Sequence, residues 1–344
     1  MRFPIRVRGS IGKSISRPVL ENSRHPAVAH RRPEKSLVSP TLPRQGSKAL
    51  NSSFPTVKTI FFAFTLVASA GLLPAATLTS SSLEWISLGP NFDFFIDQQT
   101  GQASSDIVGS PSDPGFFTTF DDGGTSSLID GTLAFRVRLD TAGGQNNNPQ
   151  LDSILWIGID ADGRGDINAF IGVNTQGATN AIELLLTGAG ANNSPNSTSI
   201  ANTPFYSENF SPSTFGYRPV DVAFDGGTTN DLTPTTTGDP DYYASFLIDF
   251  SQVVALLSES GIDIDETSPL RYILATSTQT NALNQDLGGI DGNDPNFDPS
   301  ISWEELDGFS ITISANGTII PEPSVTALLA AVCLGLLKRR KKTA

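Results

Sequence analysis

Between residues 77 and 320 this 344-residue chain has no cysteine, no histidine and no lysine. The single cysteine, Cys333, lies in an apolar run near the C-terminus, so no intramolecular disulfide can form. Both histidines, His25 and His30, fall in a basic N-terminal stretch. A domain without His or Cys cannot build a Ser-His-Asp or Cys-His nucleophilic site, nor the usual zinc ligation. What remains is carboxylate chemistry and hard, oxygen-ligated cations. Residues 77–320 carry five arginines against thirty-two carboxylates, a net charge of −27. Such a surface repels phosphate backbones, which excludes nucleic acid as a partner, and it suits cation binding, a saline setting or simple solubility.

The positive charge is gathered at the two ends. Residues 1–56 are basic, rich in Pro and Ser, and lack any helical or alternating apolar pattern, as expected of a disordered leader or of residues upstream of the true start. From Val57 a short basic start (Lys58) leads into an apolar run, Ile60 to Leu73. Small residues stand at Ala68-Ser69-Ala70 or, after the run, at Pro74-Ala75-Ala76, so residues 57–76 read as a secretory signal peptide. A GTG codon at Val57 would make the start an ordinary Met-Lys-Thr.

The last twenty-four residues, 321–344, read PEPSVTALLAAVCLGLLKRRKKTA. Pro321-Glu322-Pro323 cannot sit mid-helix or in a central strand. The uncharged run Val325 to Leu337 suits a short transmembrane helix, and the basic block that includes Lys338, Arg339 and Arg340 would stay cytoplasmic. In composition and order this tail resembles the PEP-CTERM sorting signal of bacterial exported proteins, also known as the ice-binding protein C-terminal domain. The resemblance implies processing by an exosortase at or near Pro321-Glu322-Pro323, transient membrane anchoring, a destination at the cell envelope, cell surface or beyond, and association with exopolysaccharide. Ice binding is not expected, because that activity needs a flat, repeated Thr-rich face. The Thr clusters here, such as Thr235-Thr236-Thr237, have no regular spacing.

Residues 77–320 read as one acidic all-β domain, a β-sandwich of jelly-roll type with one short helix. Leu133, Phe135, Val137 and Leu139 alternate with Ala134, Arg136, Arg138 and Asp140, the period-2 signature of a strand. The runs Ile154–Ile159 and Ile182–Leu186 are nearly continuous and belong mid-sheet, buried on both faces. Phe309–Ser314 and Tyr242–Phe250 alternate too. Weaker strands are expected at 83–88, 92–96, 116–120, 169–173, 220–224 and 270–275. A helix is expected from a Ser251 cap through Val253, Val254, Leu256 and Leu257 to Gly261. Long polar loops fill 142–150, 188–204, 226–240 and 281–300.

Three constellations could carry chemistry. In DADGRGD, Asp160, Asp162 and Asp166 stand at positions 1, 3 and 7 of a calcium-loop pattern, with Gly165 at the turn. Arg164 at position 5 and Ile171 at position 12 depart from it, so the match is to a loose extracellular calcium loop. Its bland counterpart is a solvated Asx turn. Asp286, Asp291, Asp294 and Asp298 form a second acidic loop, expected to be exposed, and a second candidate cation site. Glu183 and the Glu304-Glu305-Asp307 cluster are the carboxylates available to a glycosidase, with Trp85, Trp156 and Trp303 as a carbohydrate platform or as core. Two function classes fit: a structural or glycan-binding matrix module, with calcium as the implied ion, or a carboxylate-dependent polysaccharide hydrolase or lyase.

Overall fold

The computed structural model describes residues 78, 84–89, 92–93, 96–99, 101–143, 150–176, 180–233, 239–291 and 301–321. Both end segments, including the 57–76 and 322–344 readings, lie outside these residues. Among the described residues no helix is long and apolar enough to cross a membrane.

The chain forms two antiparallel sheets. The first contains β1 (Ile86–Ser87), β2 (Phe116–Asp121), β3 (Thr132–Leu139), β8 (Phe215–Pro219) and β9 (Tyr242–Asp249), ordered β1-β2-β3-β9-β8. The second contains β4 (Ile154–Asp160), β5 (Ala169–Asn174), β6 (Ala181–Leu186), β7 (Tyr206–Asn209), β10 (Pro269–Ser277) and β11 (Asp286–Leu287). Its order is β11-β10-β4-β5-β6-β7, with β12 (Ile313–Ser314) also paired to β10. A jelly roll alternates its strands between sheets, whereas β4 to β7 run in sequence order within one.

The sandwich core follows from the period of two. Phe116, Leu133, Phe135, Val137, Leu139, Phe246 and Ile248 of the first sheet meet Leu155, Ile157, Ile171, Val173, Tyr272 and Leu274 of the second. Phe135 and Tyr272 touch edge-to-face across the gap, with ring centres 5.2 Å apart. The intervening residues of the second sheet, Trp156, Phe170, Leu185, Ile273 and Ala275, enter a second apolar layer on its outer face. Ile167, Ile200, Leu283, Leu287, Ile290 and Trp303 cover them there. This explains the unbroken hydrophobicity of Ile154–Ile159, since both faces of β4 are buried.

The expected helix is present as α2 (Phe250–Glu259). It starts two residues earlier than the Ser251 cap predicts, because Asp249 takes the cap position as the end of β9. Phe250, Val253, Leu256 and Leu257 join the sandwich core, and Gly261 (φ 75°) lets the chain turn away. The stretch 220–224 forms a single helical turn, α1 (Val222–Asp225), with Asp221 capping Ala223 N–H, where the sequence suggests a strand. Strand β7 and the two-residue β11 lie where the sequence shows no apolar alternation.

Gly172 sits directly opposite Trp156 in the β4–β5 ladder. A Cβ there would collide with the six-membered ring of Trp156. Gly172→Ala should therefore destabilise by about 1–3 kcal/mol through overpacking of a filled layer. Urea denaturation checks it, and a variant as stable as the parent would show that Trp156 has room to move.

Candidate functional site

The most unusual feature is a belt of buried carboxylates along one edge of the sandwich. Leu139 pairs with Tyr242 in the β3–β9 register, which sets Asp140 beside Asp241 just beyond the last pair. Asp286 opens β11 opposite Thr276 of β10. Between the two sheets runs a strap, whose described residues are 93, 96–99 and 101–109, stitched to both. On the first-sheet side, Val108 N–H donates to Arg138 O (3.2 Å), and Asp140 N–H donates to Asp106 O (3.0 Å). On the second-sheet side, Gln99 N–H donates to Gln285 O (2.9 Å) and Thr276 Oγ1 to Ser105 O (2.5 Å).

The strap carries Asp93, Asp97 and Asp106 into the belt. Asp93, Asp106, Asp140, Asp241 and Asp286 are each at most 3% exposed. Asp97, Asp106 and Asp286 bring one carboxylate oxygen apiece within 4.8 Å of one another, and so do Asp140, Asp231 and Asp241. Burial first, then the charges of Asp286, Asp97 and Asp106, raises the Asp93 carboxyl well above the ordinary range. Burial with the Asp97 and Asp106 charges does the same to Asp286. Burial, opposed by the Ile96 amide and reinforced by Asp97 and Asp140, pushes Asp106 up to about 7. Burial and the Asp231 charge bring Asp140 to about 6. Asp241 rises to about 7 by burial, against the pull of Arg138.

The hydrogen bonds are specific but incomplete. Asp286 accepts from Ile107 N–H (2.6 Å) and Leu287 N–H (2.7 Å). Asp93 accepts from Gly289 N–H (2.9 Å), and Asp106 Oδ2 accepts from Ile96 N–H (3.0 Å). Ile96 adopts φ 64°, a left-handed conformation that strains a β-branched residue. Asp140 Oδ1 accepts from Thr233 Oγ1. The other oxygens of Asp106 and Asp140, Oδ1 and Oδ2 respectively, are buried without a hydrogen-bond partner.

Arg138 reaches the belt from β3, its Nε 2.6 Å from Asp241 Oδ2. The loop after α1 folds over this arginine. Asp113 accepts bonds from Thr228 N–H and Oγ1 (both 2.6 Å), Thr229 N–H (3.1 Å) and Ser112 Oγ (2.9 Å). Burial works against its charge, but these bonds win and hold it below the ordinary range. Gly227 is required at this crossing, because φ is 91° and a Cβ would lie 2.5 Å from Asp113 Oδ1.

Of the sequence-nominated residues, Asp160 is buried and internally bonded. Gly163 N–H (2.8 Å) donates to one oxygen, and Gly165 N–H (3.2 Å) and Arg271 Nε (3.0 Å) to the other. Asp162 and Asp166 instead line an open polar cleft of about 440 Å³ with Arg164, Asn168 and Asn192. Burial, then Asp162 and Asp160, raises the Asp166 carboxyl. Among the described residues these three carboxylates are not one of the groups that converge. In the second acidic loop, Asp286 is buried where exposure was expected, because β11 docks its start into the belt. Asp291 is exposed, and Asp294 and Asp298 lie outside the described residues.

Glu183 accepts from Asn174 Nδ2 (3.0 Å), Glu304 from Arg271 Nη1 (3.0 Å), and Glu305 from Ser302 N–H and Oγ (2.9 and 3.0 Å). Asp307 is exposed with φ 53°. Trp156 and Trp303 are buried core, and Trp85 lies under the Arg136 guanidinium at 4.2 Å. The three tryptophans therefore do not form a platform.

Sequence reasoning missed six of the seven belt residues. They come from three separate stretches of the chain, 93–106, 140 and 231–241, and only strand register and the pairing of the strap bring these together. The one available signal was the excess of aspartate beside strand ends. Compared with protein-family profiles, with curated proteins and with solved structures, the chain matches none.

Proposed function

We propose that this protein is exported, sorted at the cell envelope by an exosortase acting near Pro321-Glu322-Pro323, and retained outside as a structural or glycan-binding module of an exopolysaccharide matrix. The observation that carries this proposal is the fixed order of the tail: Pro-Glu-Pro, an apolar run, then a basic block. The sandwich is consistent with it. The last described pairing, Ile320 N–H to Thr312 O (2.9 Å), falls one residue before Pro321, so the tail can leave without unravelling a strand. The glutamates available for hydrolysis are engaged in local hydrogen bonds, which favours the structural class over the hydrolase or lyase. The polar cleft at Asp162 and Asp166 suits a hydroxyl-rich ligand.

The apolar run Val325–Leu337 would be about 20 Å long as a helix, short of a hydrocarbon core of about 30 Å. A marginal span suits a substrate held briefly for cleavage. Mass spectrometry of the mature protein, from a host with its exosortase, should find a C-terminus near Pro321–Pro323 and no Lys338–Lys342 block. An intact tail in the envelope fraction would refute the sorting proposal. A glycan-binding screen with and without calcium tests the ligand class.

A further inference from the structure

We infer that the carboxylate belt is a pair of adjacent divalent-cation sites, one held by Asp97, Asp106 and Asp286, which fastens the strap to the second sheet, and the other held by Asp140, Asp231 and Asp241, which ties the loop after α1 to the first sheet. Its basis is independent of the export proposal. Three carboxylates whose oxygens lie within 4.8 Å of one another repel strongly in a buried setting. Among the described residues, the ion pair that reaches the belt is Arg138 on Asp241, at the end away from Asp286. Proximity of acids alone would not carry the assignment. The second observation is the state of Asp106 and Asp140. Both are fully buried, one belongs to each group, and each keeps one carboxylate oxygen with no hydrogen-bond partner. A buried carboxylate oxygen with no donor is costly unless a cation faces it.

The donor set specifies the ion. All six ligand groups are carboxylates, which select hard cations over zinc or copper. Calcium accepts the irregular all-oxygen coordination that packed side chains impose, whereas magnesium demands near-ideal octahedral geometry and usually keeps several waters, so calcium is the better fit. Asp97 and Asp231, one in each group, are half-buried, whereas the other four ligands are buried.

The consequence is mechanical. Asp97 and Asp106 come from the strap, Asp286 from the second sheet, and Asp140 and Asp241 from the first. Loading the first site would hold the strap on the second sheet, loading the second would hold the loop of Asp231 on the first sheet, and removing the ions would release both.

The test uses the full chain, purified and washed free of loose metal. Calcium content should be two ions per chain, falling to one in Asp106→Asn and to one in Asp140→Asn, and staying at two in Asp162→Asn. Calcium at a hundredfold over its dissociation constant should raise the melting temperature by about 5–10 °C per site over chelator, and magnesium by less. If either variant fails to fold, the stoichiometry and chelator shift of the unaltered chain still decide. No bound calcium with coincident melting curves would overturn the assignment, as would calcium lost in Asp162→Asn but kept in Asp106→Asn and Asp140→Asn. Loading also should protect the strap from limited proteolysis, and equal cleavage in calcium and in chelator would remove the fastening role.

Discussion

Replacing Asp225 with alanine is expected to destabilise the protein by about 3–5 kcal/mol, the range for removing one partner of a buried ion pair. Asp225 is the carboxylate between two arginines. Its Oδ1 lies 3.2 Å from Arg136 Nη1, and its Oδ2 accepts from Arg218 Nη1 at 2.8 Å. Its side chain is 1% exposed and that of Arg136 5%. Arg136 is also held between the rings of Trp85 and Tyr243, at 4.2 and 5.1 Å, and donates to Ser245 Oγ at 3.1 Å. Those contacts orient the guanidinium but do not neutralise it. Without Asp225 a buried cation would remain beside Arg218.

The same residue predicts an acid limb. Burial alone would raise the Asp225 carboxyl. Hydrogen bonds from Arg218 and the Asp221 amide, with the Arg218 and Arg136 charges, outweigh burial and bring it below the ordinary range. A group lowered on folding stabilises above its unfolded value, about 3.9 for aspartate, and that contribution is lost as pH falls through the lowered folded value. Stability should thus decline below about pH 4 in the parent, and this part of the decline should be missing in Asp225→Ala. Chemical denaturation at several pH values measures both effects. A loss under 1 kcal/mol at pH 7 would mean that aromatic contacts suffice for Arg136.

Trp303→Ala is expected to have an effect of similar size, about 3–5 kcal/mol, as for large aromatic truncations in cores. Trp303 is 1% exposed, packs in the outer layer of the second sheet and donates its indole N–H to Thr198 Oγ1 at 3.0 Å. Its own amide bonds to Asn193 O (2.9 Å), so the ring pins the 301–310 segment onto the 188–204 segment. The decisive contrast is with carbohydrate binding. A core tryptophan removed this way lowers the denaturation midpoint with or without glycan. A platform tryptophan would leave stability intact and abolish glycan retention instead. That second pattern would show that the ring is accessible in solution.

Much of the fold was legible because a period of two is a local property. The alternation of Leu133 to Leu139 placed β3, the unbroken run Ile154–Ile159 announced a strand covered on both faces, and Gly261 marked the end of α2. The chemistry left by a His-free, Cys-free domain was also legible: carboxylates and hard cations. Arg136 and Arg138 were not legible as buried residues. A polar face normally meets water, and only the fold of the 222–233 segment, with Asp225, Asp113 and Asp241 arriving from distant positions, supplies the counter-charges.

The carboxylate belt depends on the same long-range closure. Sequence spacing can reveal a site whose ligands share one loop, which is why Asp160, Asp162 and Asp166 stood out. It cannot reveal that Asp106, Asp140 and Asp286 meet, because their meeting is set by the β3–β9 and β10–β11 registers and by the strap between them. The sequence by itself determined the strand periods, the acidic chemistry and the order of parts in the tail. Which carboxylates lose their water and face one another was decided by the packing of two sheets, since burial and proximity are properties of the closed sandwich and not of any segment.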